Sequence, residues 1–299
     1  MGTVVEATAI ATADDQSLSP SAIGLADAAA RVCLERAGRS PDDVQLLINA
    51  GVYLDRNISE PAIAALIQED IGANPEIQPG GDQGTLSFDV RNGACGMLTG
   101  MYLVDALLAS GTIQCGMVVG GDVDPEPGIS EGFGFMAAAG AVLLSHDDAR
   151  PGLTAFKFKT FPEFAEEFHS HVSWQDDPGN GGGRNLLTVE IDEHYPAHAL
   201  ACAEATVREL ASETGLELGE IDLLIATASV PDFAAALGQR LGITQARIAS
   251  LADGFGTAHT AAPAVAREPV QPLQPGTSRT ALVVSAGAGI TVVAAVHRM

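Results

Sequence analysis

Asp89-Val90-Arg91-Asn92-Gly93-Ala94-Cys95-Gly96-Met97 is the stretch on which the fold turns. Leu86 to Val90 reads as a strand leading into it, and Gly96 to Gly111 leads out of it with Met97, Met101, Leu103, Leu107 and Leu108 at helical spacings. Cys95 is therefore expected at a helix N-terminus, where unpaired backbone N–H groups and the positive end of the dipole favour the reactive thiolate. Gly93 and Gly96 leave room for a substrate to approach the backbone closely. A free cysteine is more often a small buried hydrophobe. The order of the surrounding elements is what sets this one apart.

Outward from that turn, the chain reads as one series of elements occurring twice. Val4 to Thr12 is strand-like, Ser21 can cap a helix from Ala22 to Ala37 that closes at Gly38, and Val44 to Asn49 is an apolar strand. A helix from Glu60 to Ile71 carries Pro61 in its first turn, and after the cysteine helix come strands at Gln114 to Gly121 and Gly140 to Ser145. In the second half, a helix from Ala197 to Thr214 precedes Glu220 to Thr227, which mirrors Asp43 to Ala50. A helix from Asp232 to Leu241 and a strand from Arg247 to Leu251 follow, and Pro275 to Val284 echoes Ser110 to Val119. Agreement in order and in separation favours duplication over chance. The expected fold class is α/β with two similar halves, residues 1–150 and 151–299, and helices sandwiched between and over two sheets of mainly buried strands.

Composition narrows the function classes. At 299 residues, 46% hydrophobic and 18% charged, the chain can bury a large core. A formal net charge of −23 disfavours nucleic acid and anionic membrane surfaces as partners. Cys33, Cys95, Cys115 and Cys202 form no CxxC pair, so neither a disulfide framework nor a zinc site is indicated, and a reducing cytoplasm is the expected compartment. The N-terminal residues lack a basic-then-apolar leader pattern, and no apolar run reaches spanning length.

A duplicated α/β chain whose first half delivers a cysteine on a strand-to-helix turn resembles the thiolase superfamily, and within it the β-ketoacyl-ACP synthase III branch. The resemblance covers nearly the whole order of elements. Its more specific segments are Asn92-Gly93-Ala94-Cys95-Gly96-Met97, the strand Val118-Val119-Gly120-Gly121-Asp122, and the terminal turn Gly287-Ala288-Gly289-Ile290-Thr291. It implies a five-layered αβαβα sandwich, a dimer, and an acyl group carried as a thioester on Cys95. It also implies an oxyanion hole made by backbone N–H groups of Cys95, Ala288 and Gly289. The substrate would be an acyl-CoA or acyl-ACP phosphopantetheine thioester, with no permanently bound cofactor and no metal.

The family's His and Asn, which bind the malonyl thioester carbonyl and support decarboxylation, match Thr227 and either Gly256 or Thr257 here. A Thr hydroxyl can donate a hydrogen bond but is no general base near neutral pH. His259, on the pseudo-symmetric counterpart of the cysteine turn, is the titratable residue placed to replace them, with Phe255, Gly256 and Thr257 beside it as substrate-binding candidates. The Trp and Arg with which the family grips coenzyme A, between first strand and first helix, are missing from Ala13 to Ser21. A basic patch from Arg184, Arg208, Arg240, Arg247 and Arg267 would be needed to draw in an acidic carrier protein. Residues 161–185, acidic and aromatic and then glycine-rich, read as a long loop covering the substrate tunnel. A metal site at His169 and His171 beside Trp174 is disfavoured because no further ligand shares helical or strand register with them, and His194 and His198 are expected to be solvated.

Three functions follow. The first is an acyltransferase that moves an acyl group from Cys95 to an oxygen, nitrogen or carbon nucleophile in fatty-acid-like, polyketide or other secondary metabolism. The second is an accessory subunit of a heterodimeric ketoacyl synthase III-like enzyme, and the third a condensing enzyme with His259 as replacement base.

Overall fold

The computed structural model describes residues 2–13, 21–74, 84–177, 182–249, 258–265 and 279–299. The first half contains β1 (Gly2–Thr12), α1 (Ala22–Ala37), β2 (Leu46–Asn49), α2 (Ile63–Ile71), β3 (Leu86–Asp89), α3 (Gly96–Ala109), β4 (Cys115–Asp122) and β5 (Ala138–Asp147). The second contains β6 (Gly152–Thr160), a hairpin of β7 (Phe168–Asp177) and β8 (Gly182–Ile191), α4 (Tyr195–Thr214), β9 (Leu223–Ala228), α5 (Phe233–Leu241), α6 (Ala262–Val265), β10 (Thr280–Gly287) and β11 (Thr291–Arg298).

Strand order shows the duplication. The first half runs β3-β2-β4-β5-β1 and the second β6-β11-β10-β9, and the two sheets join where Thr3 of β1 pairs with Leu153 of β6. Read from its outer edge, β9-β10-β11-β6 repeats β2-β4-β5-β1. Ile248 makes a parallel bridge to Leu224 on the outer side of β9, as β3 does to β2. The strand expected from Arg247 to Leu251 is reduced to that bridge, and its last two residues lie outside the described ones.

Three apolar cores separate five layers. One packs α1 and α2 on the outer face of the first sheet, through Leu25, Ala29, Ile63 and Ile67. A second holds α3 between the sheets, with Met97, Leu98 and Val104 meeting Val118, Val283 and Val293. The third packs α4 and α5 on the far face of the second sheet, through Ala203, Val207 and Leu237. Burying a side chain such as Met97 or Leu98 fully contributes about 1.5–3 kcal/mol, which makes these layers the main source of stability.

Local chemistry sets the elements that deliver Cys95. Ser21 caps α1 by accepting the N–H of Gly24 at 2.9 Å, and Gly38, at φ 65°, closes it as the sequence indicates. The Asp89 carboxylate accepts the N–H groups of Ile63 and Ala64 at 2.8 Å each and the Asn49 amide at 3.1 Å. One carboxylate thus ties the end of β3 to the start of α2 and to β2. Helix α3 then lies against the sheet through glycines. A Cβ at Gly100 would sit 2.6 Å from Val118 Cγ1, and one at Gly96 2.9 Å from the Ala50 carbonyl.

Other parts of the chain also differ from the sequence expectation: α2 begins at Ile63, so Pro61 precedes the helix instead of standing in its first turn. Residues 168–177 and 182–191 are the paired strands β7 and β8 rather than a loop. β7 is largely polar beyond the buried Phe168, and the buried Leu186, Leu187 and Val189 of β8 follow no strict alternation that would mark them. Strand β6 is a further element that the sequence expectation lacks, although Phe156 and Phe158 alternate with Lys157 and Lys159 along it.

Candidate functional site

Cys95 ends a short 3-10 turn (Gly93–Cys95) and occupies the N-cap of α3, with Gly93 at φ 51°. Its surroundings are built from residues that the opening stretch already contains. Asn92 Nδ2 donates to Thr99 Oγ1 at 2.9 Å, Thr99 donates to the Cys95 carbonyl at 2.9 Å, and the Cys95 N–H donates to the Asn92 carbonyl at 3.0 Å. The turn between β10 and β11 folds against this one. A Cβ at Gly287 would lie 3.3 Å from Ala94 N and 3.7 Å from Cys95 N.

The thiol is buried, with the carbonyls of Ser285 and Thr291 each 3.3 Å from its sulfur as acceptors for its one hydrogen. Burial pushes it up to about 12, against the lowering expected from the helix N-terminus alone. Desolvation removes the water that would stabilise a thiolate, and it outweighs the Val293 N–H, which favours the thiolate. The helix end is present as the sequence indicates, but it does not set the resting charge state.

Of the three oxyanion candidates, Cys95 N–H is engaged by Asn92 and Gly289 N–H donates to the Phe168 carbonyl at 3.3 Å. Ala288 stands at the turn facing Gly93, with its nitrogen 3.8 Å from where a Gly93 Cβ would be. Thr227 lies on β9 directly opposite Ser285 of β10, and the two hydroxyls are 2.9 Å apart. Ser285 therefore touches both Thr227 and Cys95, through its hydroxyl and its carbonyl respectively. Phe255, Gly256 and Thr257 lie outside the described residues.

His259 is buried, with its Nδ1 3.2 Å from Thr260 Oγ1 and 3.4 Å from Asp122 Oδ2. Its ring packs on Tyr53 and Phe135, with centroids 5.1 and 4.7 Å away. Asp122, at the end of β4, accepts the N–H groups of Val52 and Tyr53 through Oδ1 and of Thr260 through Oδ2, all at 2.9 Å. Burial opposes its charge, but the imidazole and these N–H donors outweigh burial and hold the carboxyl at about 2. A carboxylate facing Nδ1 leaves Nε2 as the nitrogen that can take a proton. No hydrogen bond joins His259 to Cys95 among the described residues. Sequence reading missed Asp122 as the partner of His259, since 137 residues separate them and only the fold brings them together.

A second missed residue is Tyr195, at the start of α4. It is fully buried, its ring meets Phe168 edge-on at 5.2 Å, and its hydroxyl has no hydrogen-bond partner among the described residues. Burial, then the neighbouring Cys95 and Tyr53, push its ionisation upward, so it stays a protonated donor. An unpaired buried hydroxyl costs about 1–3 kcal/mol. Tyr195→Phe is accordingly expected to leave stability unchanged or raise it by about 1 kcal/mol in urea denaturation. A loss larger than that would show the hydroxyl to be engaged in the folded protein.

A cavity of about 550 Å³ has Thr227, Phe135 and the start of α5 in its wall, while Cys95 and His259 are not among its lining residues. Asp232 is the charged residue among the described lining, and no Lys or Arg joins it there. Arg208 and Arg240 both bind Glu204, Arg247 donates to the carbonyls of Gly219 and Ile221, and Arg267 lies outside the described residues. His198 is not simply solvated, because it bonds Glu167 at 2.6 Å and stacks on Phe164. His194 is largely exposed. No described helix is long and apolar enough to cross a membrane.

Comparison with known proteins agrees with this architecture. No protein-family model matches the chain. The chain is 27% identical over 213 residues to a β-ketoacyl-[acyl-carrier-protein] synthase III of Novosphingobium aromaticivorans, a match covering 67% of this chain but only 60% of that protein's length. It is 24% identical over 308 residues to the enzyme of the same name from Granulibacter bethesdensis, covering 99% of this chain and 88% of the relative. Its fold superposes on the 3-oxoacyl-[acyl-carrier-protein] synthase III of Aquifex aeolicus with a TM-score of 0.79 at 19% identity, over the full length of both chains. A crystal structure of Xanthomonas campestris OleA with lauric acid and lauroyl-CoA gives 0.78 at 16% identity, over all of this chain and 99% of that one. Five layers, repeated strand order and a cysteine on the first half's strand-to-helix turn define a thiolase-fold protein. Within that fold, the sequence is similar to β-ketoacyl-[acyl-carrier-protein] synthases III at 24–27% identity.

Proposed function

We propose that the chain is an acyltransferase that loads an acyl group onto Cys95 from an acyl-CoA or acyl-ACP and passes it to an oxygen, nitrogen or carbon nucleophile. In loading, the sulfur of Cys95 bonds the thioester carbonyl carbon, the carrier thiol leaves, and the proton of Cys95 departs with it. In transfer, the acceptor attacks the Cys95 thioester, its proton goes to Nε2 of His259, and the cysteine sulfur is the leaving group. Ala288 N–H serves the oxyanion, and the Cys95 and Gly289 N–H groups join it by exchanging their bonds to Asn92 and Phe168. The observation that carries this reading is the buried His259–Asp122 pair, whose Phe135 neighbour lines the same cavity as Thr227. Thr227, hydrogen-bonded to Ser285, offers no base for decarboxylation, so transfer is favoured over condensation.

A second reading has its own observation. A thiol at about 12, facing two carbonyls, suits an accessory subunit whose catalytic partner is another ketoacyl synthase III-like chain. Strand β3 is the outer strand of the sheet with Leu86 59% exposed, an edge suited to pairing with a second chain of the same or a different kind. Four buried, unpaired cysteines suit the cytoplasm.

Mass spectrometry after incubation with acyl-CoA thioesters of several chain lengths tests the choice. The acyltransferase gains one acyl mass alone. His259→Gln still gains it but hands it on more slowly, by about 10²–10⁴-fold, the range that general-base catalysis supplies. Loading only after a ketoacyl synthase III-like partner is added would establish the accessory reading, and no loading in either case would remove both.

A further inference from the structure

The base of the β7–β8 hairpin holds a side-chain cluster that the proposed transfer does not use. His169 and His171, two residues apart on β7, project from the same face of the strand. Glu190 of β8 stands directly opposite His169 in the strand register. Sequence spacing shows no third ligand because this one comes from the returning strand, 21 residues away.

The geometry points to a binding site for one zinc-class divalent cation formed by His169, His171 and Glu190. One ligating atom from each residue lies within 4.8 Å of the other two, and His169 Nε2 is 2.6 Å from Glu190 Oε2. Zinc holds such nitrogen and oxygen ligands at about 2.0–2.2 Å, close enough for one ion to reach all three residues of this cluster. The two imidazoles are near-parallel, 26° apart with centroids at 6.3 Å. Nδ1 of His169 is buried and has no hydrogen-bond partner among the described residues, so nothing on that side fixes the ring's tautomer. The ring can therefore turn over its donor nitrogen to a metal. Two imidazoles and one carboxylate suit zinc and disfavour magnesium and calcium, which seek oxygen ligands. Water would complete the coordination.

The placement ties this cation to the centre of the molecule. Phe168, the residue before His169, is buried, its carbonyl accepts the N–H of Gly289, and its ring meets Tyr195 and Phe135. A metal bridging the two strands at their base would steady Phe168 and the bond its carbonyl accepts from Gly289.

The test is competition for zinc between the EDTA-stripped, dialysed full chain and a chromophoric chelator. One zinc per chain is expected, unaffected by excess magnesium or calcium. His171→Ala and Glu190→Gln should each weaken binding by more than about 10-fold, the lower end of what even outer-shell partners contribute. Zinc should also raise the melting temperature of the wild type and leave that of His171→Ala unmoved, a readout independent of enzymatic activity. Both substitutions fall on exposed side chains, so circular dichroism should show the variants folded. Substoichiometric zinc, or equal affinity in wild type and His171→Ala, would overturn the assignment and place any bound metal elsewhere.

Discussion

Cys95→Ala is expected to abolish acyl loading completely while costing no more than about 2 kcal/mol of stability. The loss of loading is total because the reacting sulfur is gone, and no second nucleophile stands at the strand-to-helix turn. The stability cost is modest because removing one buried sulfur leaves a small void, and the Ser285 and Thr291 carbonyls it faced remain in a paired β10–β11 ladder. The same residue carries a distinct pH signature. With the thiol pushed up to about 12 by burial, only roughly one in ten thousand is ionised at pH 8, and that fraction rises about tenfold per pH unit. Iodoacetamide should therefore label Cys95 slowly near neutrality, with a rate still climbing above pH 9. Peptide mapping is needed for this measurement, because burial also raises Cys33 to about 12 and Cys115 and Cys202 to about 11. Fast labelling that levels off near pH 7 would show that the thiolate is already stabilised in the resting protein. An acyl adduct retained by Cys95→Ala would move the nucleophile to another residue.

What the sequence revealed of this molecule was what short-range physics controls. The bounds of α1 followed from a capping serine and a closing glycine at φ 65°, both local to the helix they delimit. The buried strands β2, β4 and β10 were visible as apolar runs, and their repetition exposed the duplicated topology before any pairing was known. What stayed hidden depended on tertiary neighbours. The helix N-terminus at Cys95 could be read from spacing, but the desolvation that overrides it comes from β10 and β11, about 190 residues downstream. The hairpin was hidden because its few buried residues, Phe168 on β7 and Leu186, Leu187 and Val189 on β8, set no regular alternation along either strand. Asp122 was legible only as the end of an apolar strand. Its role comes from Val52, Tyr53, His259 and Thr260, which two separate segments bring to it.

That convergence makes Asp122→Asn the substitution with the broadest expected effect. The wild-type carboxylate offers acceptors to three backbone N–H groups and faces the imidazole with the same oxygen that takes Thr260 N–H. An amide of the same size has one oxygen and one NH₂. Whichever way it turns, a donor meets a donor, either at Val52 and Tyr53 or at Thr260 and His259. Breaking a buried charged network in this way should cost about 3–5 kcal/mol, read as a lower urea midpoint at unchanged m. Its pH dependence has a defined sign. The folded carboxyl, at about 2, lies below the unfolded value near 4, so its contribution is complete above that unfolded value and disappears as pH falls from about 4 to about 2. Asp122→Asn should lose stability at pH 7 and show a flatter acid limb in that window. The consequence for chemistry comes through His259. Without a carboxylate at Nδ1, the imidazole loses the partner that reserves Nε2 for the acceptor's proton, so transfer should slow while loading of Cys95 persists. A variant that kept both its acid limb and its transfer rate would separate Asp122 from His259. It would leave the buried pair as packing alone.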